Sequence, residues 1–165
     1  MVDTELTHLL KEYIEFEKLV ASKAVKEAEK IQNLVLRELL RGIALDSQKH
    51  AKILEAAISL IEGESQALSN DDLQNTLTIL REHQDMEEKA IQTYEEQITA
   101  QKGDRRLQLI FQYLLSDERQ HHAILGQMIQ VLDQSAAPDE EAIWELFTLY
   151  SQLAELVLEQ MPSNE

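Results

Sequence analysis

Residues 111–125 read FQYLLSDERQHHAIL, and the spacing within them decides the fold. Leu114, Glu118, His121 and Leu125 follow one another at steps of four, three and four. Those steps keep all four on one face of an α-helix. The stripe is therefore apolar above and below, with a carboxylate and an imidazole at its middle. Three other stretches are built the same way: Tyr13, Glu17, Val20 and Ala24; Ile43, Ser47, His50 and Leu54; and Leu80, His83, Glu87, Ala90 and Tyr94. Carboxylates on a core-facing stripe are costly unless protonated, paired or metal-bound. No Lys or Arg falls on these stripes to pair with them.

Extending the apolar spacing predicts five helices. The first runs from about Asp3 to Ile31, with Leu6, Leu9, Leu10, Tyr13, Val20 and Ala24 on one face. The second starts near Asn33 and carries Leu36, Leu39, Leu40, Ile43, Leu54, Ile58 and Ile61. After the polar connection GESQALSN, Ser69 and Asp72 are spaced as a capping box. The third helix then runs to about Gln101 through Leu73, Leu77, Leu80, Ala90, Ile91, Tyr94 and Ile98. Gly103 reads as a stop and Asp104 as the N-cap of the fourth, which carries Leu107, Phe111, Leu114, Leu125, Met128 and Leu132. A fifth spans about 139–161, and its Ile143, Trp144, Phe147, Tyr150 and Leu153 are apolar on more than one side.

The first helix pair resembles the second. LRGIALDSQKHAKIL at 40–54 aligns with FQYLLSDERQHHAIL, so that Asp46 falls on Asp117, His50 on His121 and Leu54 on Leu125. Asn33 falls on Asp104, placing the two turns in register. Glu17 lies 15 residues before Gln32, and Ser47 and His50 lie 14 and 17 after Asn33. Glu87 lies 16 before Gly103, and Glu118 and His121 lie 14 and 17 after Asp104. In two antiparallel hairpins these polar groups sit at one height.

Composition narrows the function. The 165-residue chain is long enough for one domain with a real core, and four glycines and two prolines leave few helix breaks. It has no cysteine, which excludes disulfides, thiolate metal sites and a thiol nucleophile. A formal net charge of -16 speaks against nucleic-acid binding and against a basic membrane-surface helix. The first residues, MVDTELTHLLKEY, lack the uninterrupted apolar run of a signal peptide, and a cytoplasmic location is the default expectation.

Over residues of about 5 to 132 the chain resembles the ferritin-like proteins, the rubrerythrins in particular. The matching residues are Glu17, His50, Glu87 and the motif Glu118-Arg119-Gln120-His121, with Glu87-x-x-Ala90-x-x-x-Tyr94 in support. The resemblance implies an all-α, ferritin-like four-helix bundle over about 3–133 with an additional C-terminal helix, all in one domain of 1–165. It also implies a non-haem metal centre, with two irons (or manganese) per chain that react with dioxygen or peroxide. Glu17, His50, Glu87, Glu118 and His121 are the expected ligands, Glu118 the bridge, and Asp46 and His83 further candidates. Zinc also suits such donors. Two positions depart from the family pattern: Ser47 stands where its first motif has Glu, and Ala90 where rubrerythrins tend to have another Glu.

A lone Glu-x-x-His is more often solvated surface than a ligand pair, and a lone core histidine is more often simply hydrogen-bonded. His122 faces away from the stripe and His8 sits near the start of the first helix, so both are expected to be solvent or helix-contact residues, and Tyr13 and Tyr94 core aromatics. The fifth helix is expected to pack across the bundle or to build a homodimer contact. A metal-free or mononuclear scaffold that engages a partner through that helix is the competing functional reading. The connection also sets a constraint: eight residues from Gly63 to Asn70 reach at most about 30 Å. A parallel arrangement of the second and third helices requires on the order of 45 Å.

Overall fold

The computed structural model describes residues 4–63 and 69–134, together with Leu146 and Thr148, which are helical. The expected helix over 139–161 otherwise lies outside the described residues. Among the described residues there are four long helices and no strand: α1 Thr4–Ala28, α2 Leu34–Ile61, α3 Asn70–Ala100 and α4 Arg105–Gln134. None of them is long and apolar enough to cross a membrane. The chain divides into two compact units, 1–65 and 66–165, each holding one helix pair.

The helix ends are set by side chains that satisfy backbone N–H groups left over in a first turn. Asn33 Oδ1 accepts from Leu36 N at 3.1 Å, opening α2. Ser69 Oγ accepts from Asp72 N at 3.2 Å and donates to the Asp72 carboxylate, so the expected capping pair opens α3. Asp104 Oδ1 accepts from Arg106 N at 2.9 Å before α4. The glycine with left-handed backbone is Gly63, φ 79°, just after α2. Gly103 has no such φ, and α3 closes on Gln101 instead.

In the first unit, α1 and α2 are antiparallel: Lys11 reaches Glu62 at 4.0 Å, and Lys18 reaches Glu55 at 3.6 Å. Contact is made along one seam of each helix, stepped alternately by three and four. On α1 it runs Thr7, Leu10, Ile14, Glu17, Ala21, Ala24 and Ala28; on α2 it runs Leu40, Ala44, Ser47, Ala51, Leu54 and Ile58. Small residues follow one another along it, Ala21, Ala24 and Ala28 on α1 and Ala44, Ser47 and Ala51 on α2, and all six are buried. Ile14, Ala51 and Ile58 form one core cluster, and Ala21, Ala24 and Ala44 another.

The second unit is built alike. Arg81 pairs with Asp133 and Arg119 with Glu95, each at 2.6 Å, which makes α3 and α4 antiparallel. Leu73, Leu77, Leu80 and Leu132 form the core, with Leu125, Met128 and Ile129 packed on it. Burying a leucine as fully as Leu77, 2% exposed, contributes about 2 kcal/mol. Tyr94 lies against Phe111, ring centroids 6.0 Å apart, so Tyr94 is a packing aromatic as expected.

The single apolar stripe expected on each helix divides into two. Leu9, Tyr13 and Ile43, expected in the core, are 46%, 53% and 54% exposed. They belong to a second seam one residue N-terminal to the first, about 100° around the helix. One antiparallel neighbour covers only one seam of a helix, so Ile14 is buried and Tyr13 is not.

Candidate metal centre

Glu118 and His121 lie one turn apart on α4, and Glu87 approaches them from α3. One ligand atom from each of the three lies within 4.8 Å of the others. The positions follow from the seams: Glu87 and Glu118 fall in the series that joins α3 to α4, while His121 sits on the neighbouring series. The side chains of Glu118 and His121 are 21% and 46% exposed, so the cluster lies at the edge of the helix contact, open to solvent on the His121 side. His121 Nδ1 is 3.4 Å from Glu118 Oε2.

The two carboxyl groups shape each other. The hydrogen bond between them is the main cause that raises Glu87 from its ordinary 4.5 to about 7; burial and the negative charges of Glu118 and Asp117 add to it, and His121 opposes it. Like charges this close favour one shared proton over two free carboxylates. A bound cation relieves the same crowding.

The first unit holds the matching pair. Glu17 Oε1 lies 3.3 Å from His50 Nδ1, across from α1 to α2, with the side chains 22% and 51% exposed. The position equivalent to Glu118 is Ser47, which is buried at 5%. That unit therefore offers one carboxylate and one imidazole where the second offers two and one.

The structure brings together Glu87, Glu118 and His121 in the second unit, and Glu17 with His50 in the first. The two further candidates join neither group. Asp46 is exposed and ion-paired to Lys49 at 2.8 Å, because it lies on the outer seam of α2. His83 is exposed on α3 and outside the three-residue cluster. His8 is exposed, 3.4 Å from Glu12. His122 is a helix-contact residue, one of the two roles expected of it: it is half-buried toward α3, with Nε2 3.6 Å from Glu88 Oε2, and its carbonyl accepts from Gln84 Nε2 at 3.5 Å. The signal for it is in the sequence, since Leu115, Glu118, His122 and Leu125 form a three–four–three series of their own.

The donor set fits a transition metal. Two carboxylates and an imidazole are oxygen and nitrogen ligands of intermediate hardness, suited to iron or manganese and acceptable to zinc. Glu87, Glu118 and His121 would supply three donors to one such ion and would leave coordination positions for water or a reactant. Comparison with known protein families, with curated proteins and with solved structures gives no match for this chain.

Proposed function

We propose that Glu87, Glu118 and His121 bind iron or manganese, and that the protein is an oxidoreductase acting on dioxygen or peroxide. The observation that carries this reading is the convergence of three ligand atoms, from two helices, within 4.8 Å. Glu118 and His121 present an oxygen and a nitrogen on one face of α4, and Glu87 closes the site from α3. The bound metal supplies redox chemistry toward an oxidant at its open coordination positions. Glu87 and Glu118 hold a proton between them in the metal-free protein and release it when both act as ligands. His121 keeps the open side of the site, where a small oxidant has access.

The larger form of the proposal adds Glu17 and His50 as ligands and two metals per chain, in a ferritin-like arrangement. Ser47 favours the smaller form, because a buried hydroxyl replaces a carboxylate that would neutralise a second ion. Metal content measured after anaerobic loading with ferrous iron separates them. About one iron per chain that survives His50→Ala supports the smaller form; about two, falling with His50→Ala, supports the larger. Loss of metal is expected in Glu118→Ala/His121→Ala. A folded parent that binds none leaves the chain a helical scaffold, with its partner to be sought through residues 139–161. Peroxide or dioxygen turnover that persists in the double variant overturns the redox role of this site.

A further inference from the structure

The α1–α2 pair leaves a second seam uncovered. On α1 it runs Leu9, Tyr13 and Phe16 and then half-buried Val20, stepped four, three and four; on α2 it includes Leu39 and Ile43. A side chain with no neighbour to meet is not ordinarily aromatic or leucine at this spacing, which is the seam spacing of paired helices. Phe16 is 58% exposed, and with Leu9, Glu12 and Tyr13 it lines a shallow, open depression on α1.

Charge identifies what fits there. Residues 4–63 hold nine Lys and Arg against ten Asp and Glu, whereas the rest of the chain holds six against 21. Two copies of this hairpin therefore meet with almost no net repulsion, which the remainder of the chain does not offer. The charges are also ordered along α1. Up to Glu17 it carries Glu5, Glu12, Glu15 and Glu17 with one lysine, and from Lys18 onward it carries Lys18, Lys23 and Lys26 with one glutamate. Two α1 helices related by a two-fold axis run antiparallel, so each acidic half lies against the other's basic half. The change from acidic to basic falls beside Phe16, in the middle of the apolar seam.

We propose that the open seam of α1 and α2 is a homodimer surface: a second copy of this chain docks on it through the same seam, α1 antiparallel to α1, with Phe16 at the two-fold axis. The contact is isologous, so it closes at two copies. It shares no residue with the Glu87, Glu118 and His121 cluster and does not rest on metal being bound there.

The test uses the full chain and two variants. Light scattering of the parent is expected to give the mass of two chains. Phe16→Glu buries two carboxylates against each other at the axis and is expected to give the mass of one chain, with helical circular dichroism unchanged. Because the chain has no cysteine, Phe16→Cys places one thiol per chain, expected at the axis, and mild oxidation is expected to yield a disulfide-linked dimer at concentrations where random encounter yields none. A parent of one-chain mass overturns the proposal. So does a dimer that persists in Phe16→Glu, and so does a Phe16→Cys dimer whose thiols stay reduced under those conditions.

Discussion

Glu87 on α3 and Glu118 on α4 are joined carboxyl to carboxyl by a hydrogen bond, which holds Glu87 near 7 instead of 4.5. A folded-state value above the unfolded one means that the group stabilises the fold fully below about pH 4.5. That contribution is lost as the pH rises through about 7, where the second carboxyl must ionise beside the first. The metal-free protein is therefore expected to lose stability between pH 4.5 and 7 through this pair. After allowance for solvent screening at a half-buried site, the change is on the order of 1 kcal/mol. Urea unfolding across that range checks it: Glu87→Gln should flatten the slope, and an equal slope in the variant would assign it elsewhere. Metal affinity should run the other way, rising with pH up to about 7 as the proton ceases to compete.

Ser47 is the position at which the two helix pairs differ most in chemistry. Ser47→Glu places a Glu-x-x-His pair on α2 beside Glu17, reproducing the donor set of the second unit. Without metal the variant should be less stable by about 2–4 kcal/mol, because the site is 5% exposed and must take a larger, ionisable side chain. With ferrous iron or manganese present, it should bind about one more ion per chain than the parent and recover part of that loss. Elemental analysis and thermal unfolding with and without metal read both effects. Unchanged metal content would show that Glu17 and His50 are a contact between helices and nothing more.

These two units show how far spacing alone carries a reading. The N-caps at Asn33, Ser69 and Asp104 are legible because a capping side chain and the N–H it receives lie two or three residues apart. The three-residue cluster is legible for the same local reason: Glu118 and His121 are fixed by helix pitch, and Glu87 by its distance from the turn. The choice between Tyr13 and Ile14 is not legible. Both lie on apolar series of α1, and only the position of α2 decides which one is covered. The half-burial of His122 is legible only in part: its series is present in the spacing, but two adjacent series cross α4 and only the position of α3 decides between them. The elevated proton affinity of Glu87 depends on a side-chain approach between helices that spacing does not contain.

Gly126 sits in the interior of α4 against Gln84 of α3. A Cβ at Gly126 would lie 2.8 Å from Gln84 Nε2, the far end of a flexible side chain whose hydrogen bond among the described residues is a 3.5 Å one to the His122 carbonyl. Gln84 can swing away at small cost, while alanine in a helix interior is favoured over glycine by about 1 kcal/mol. Gly126→Ala is therefore expected to stabilise the protein slightly, by about 0.5 kcal/mol. Chemical denaturation measures it. Destabilisation of more than about 1 kcal/mol would show that Gln84 is held in place by more than that one contact.

Thr7 is buried at 8% on the seam between α1 and α2, and its Oγ1 has no hydrogen-bond partner among the described residues. A buried hydroxyl without a partner has lost its water and gained nothing in return, a cost of about 1–3 kcal/mol. Thr7→Val keeps the branched shape and removes the hydroxyl, so it should stabilise the helix pair by about 1 kcal/mol. Thr7→Ser keeps the hydroxyl and removes a methyl from the contact, so it should destabilise by a similar amount, about 1 kcal/mol. The opposite signs are the test, because a general sensitivity of the position to change would make both substitutions unfavourable. Paired urea titrations of the two variants decide it: a destabilised valine variant would mean that the Thr7 hydroxyl is hydrogen-bonded in solution.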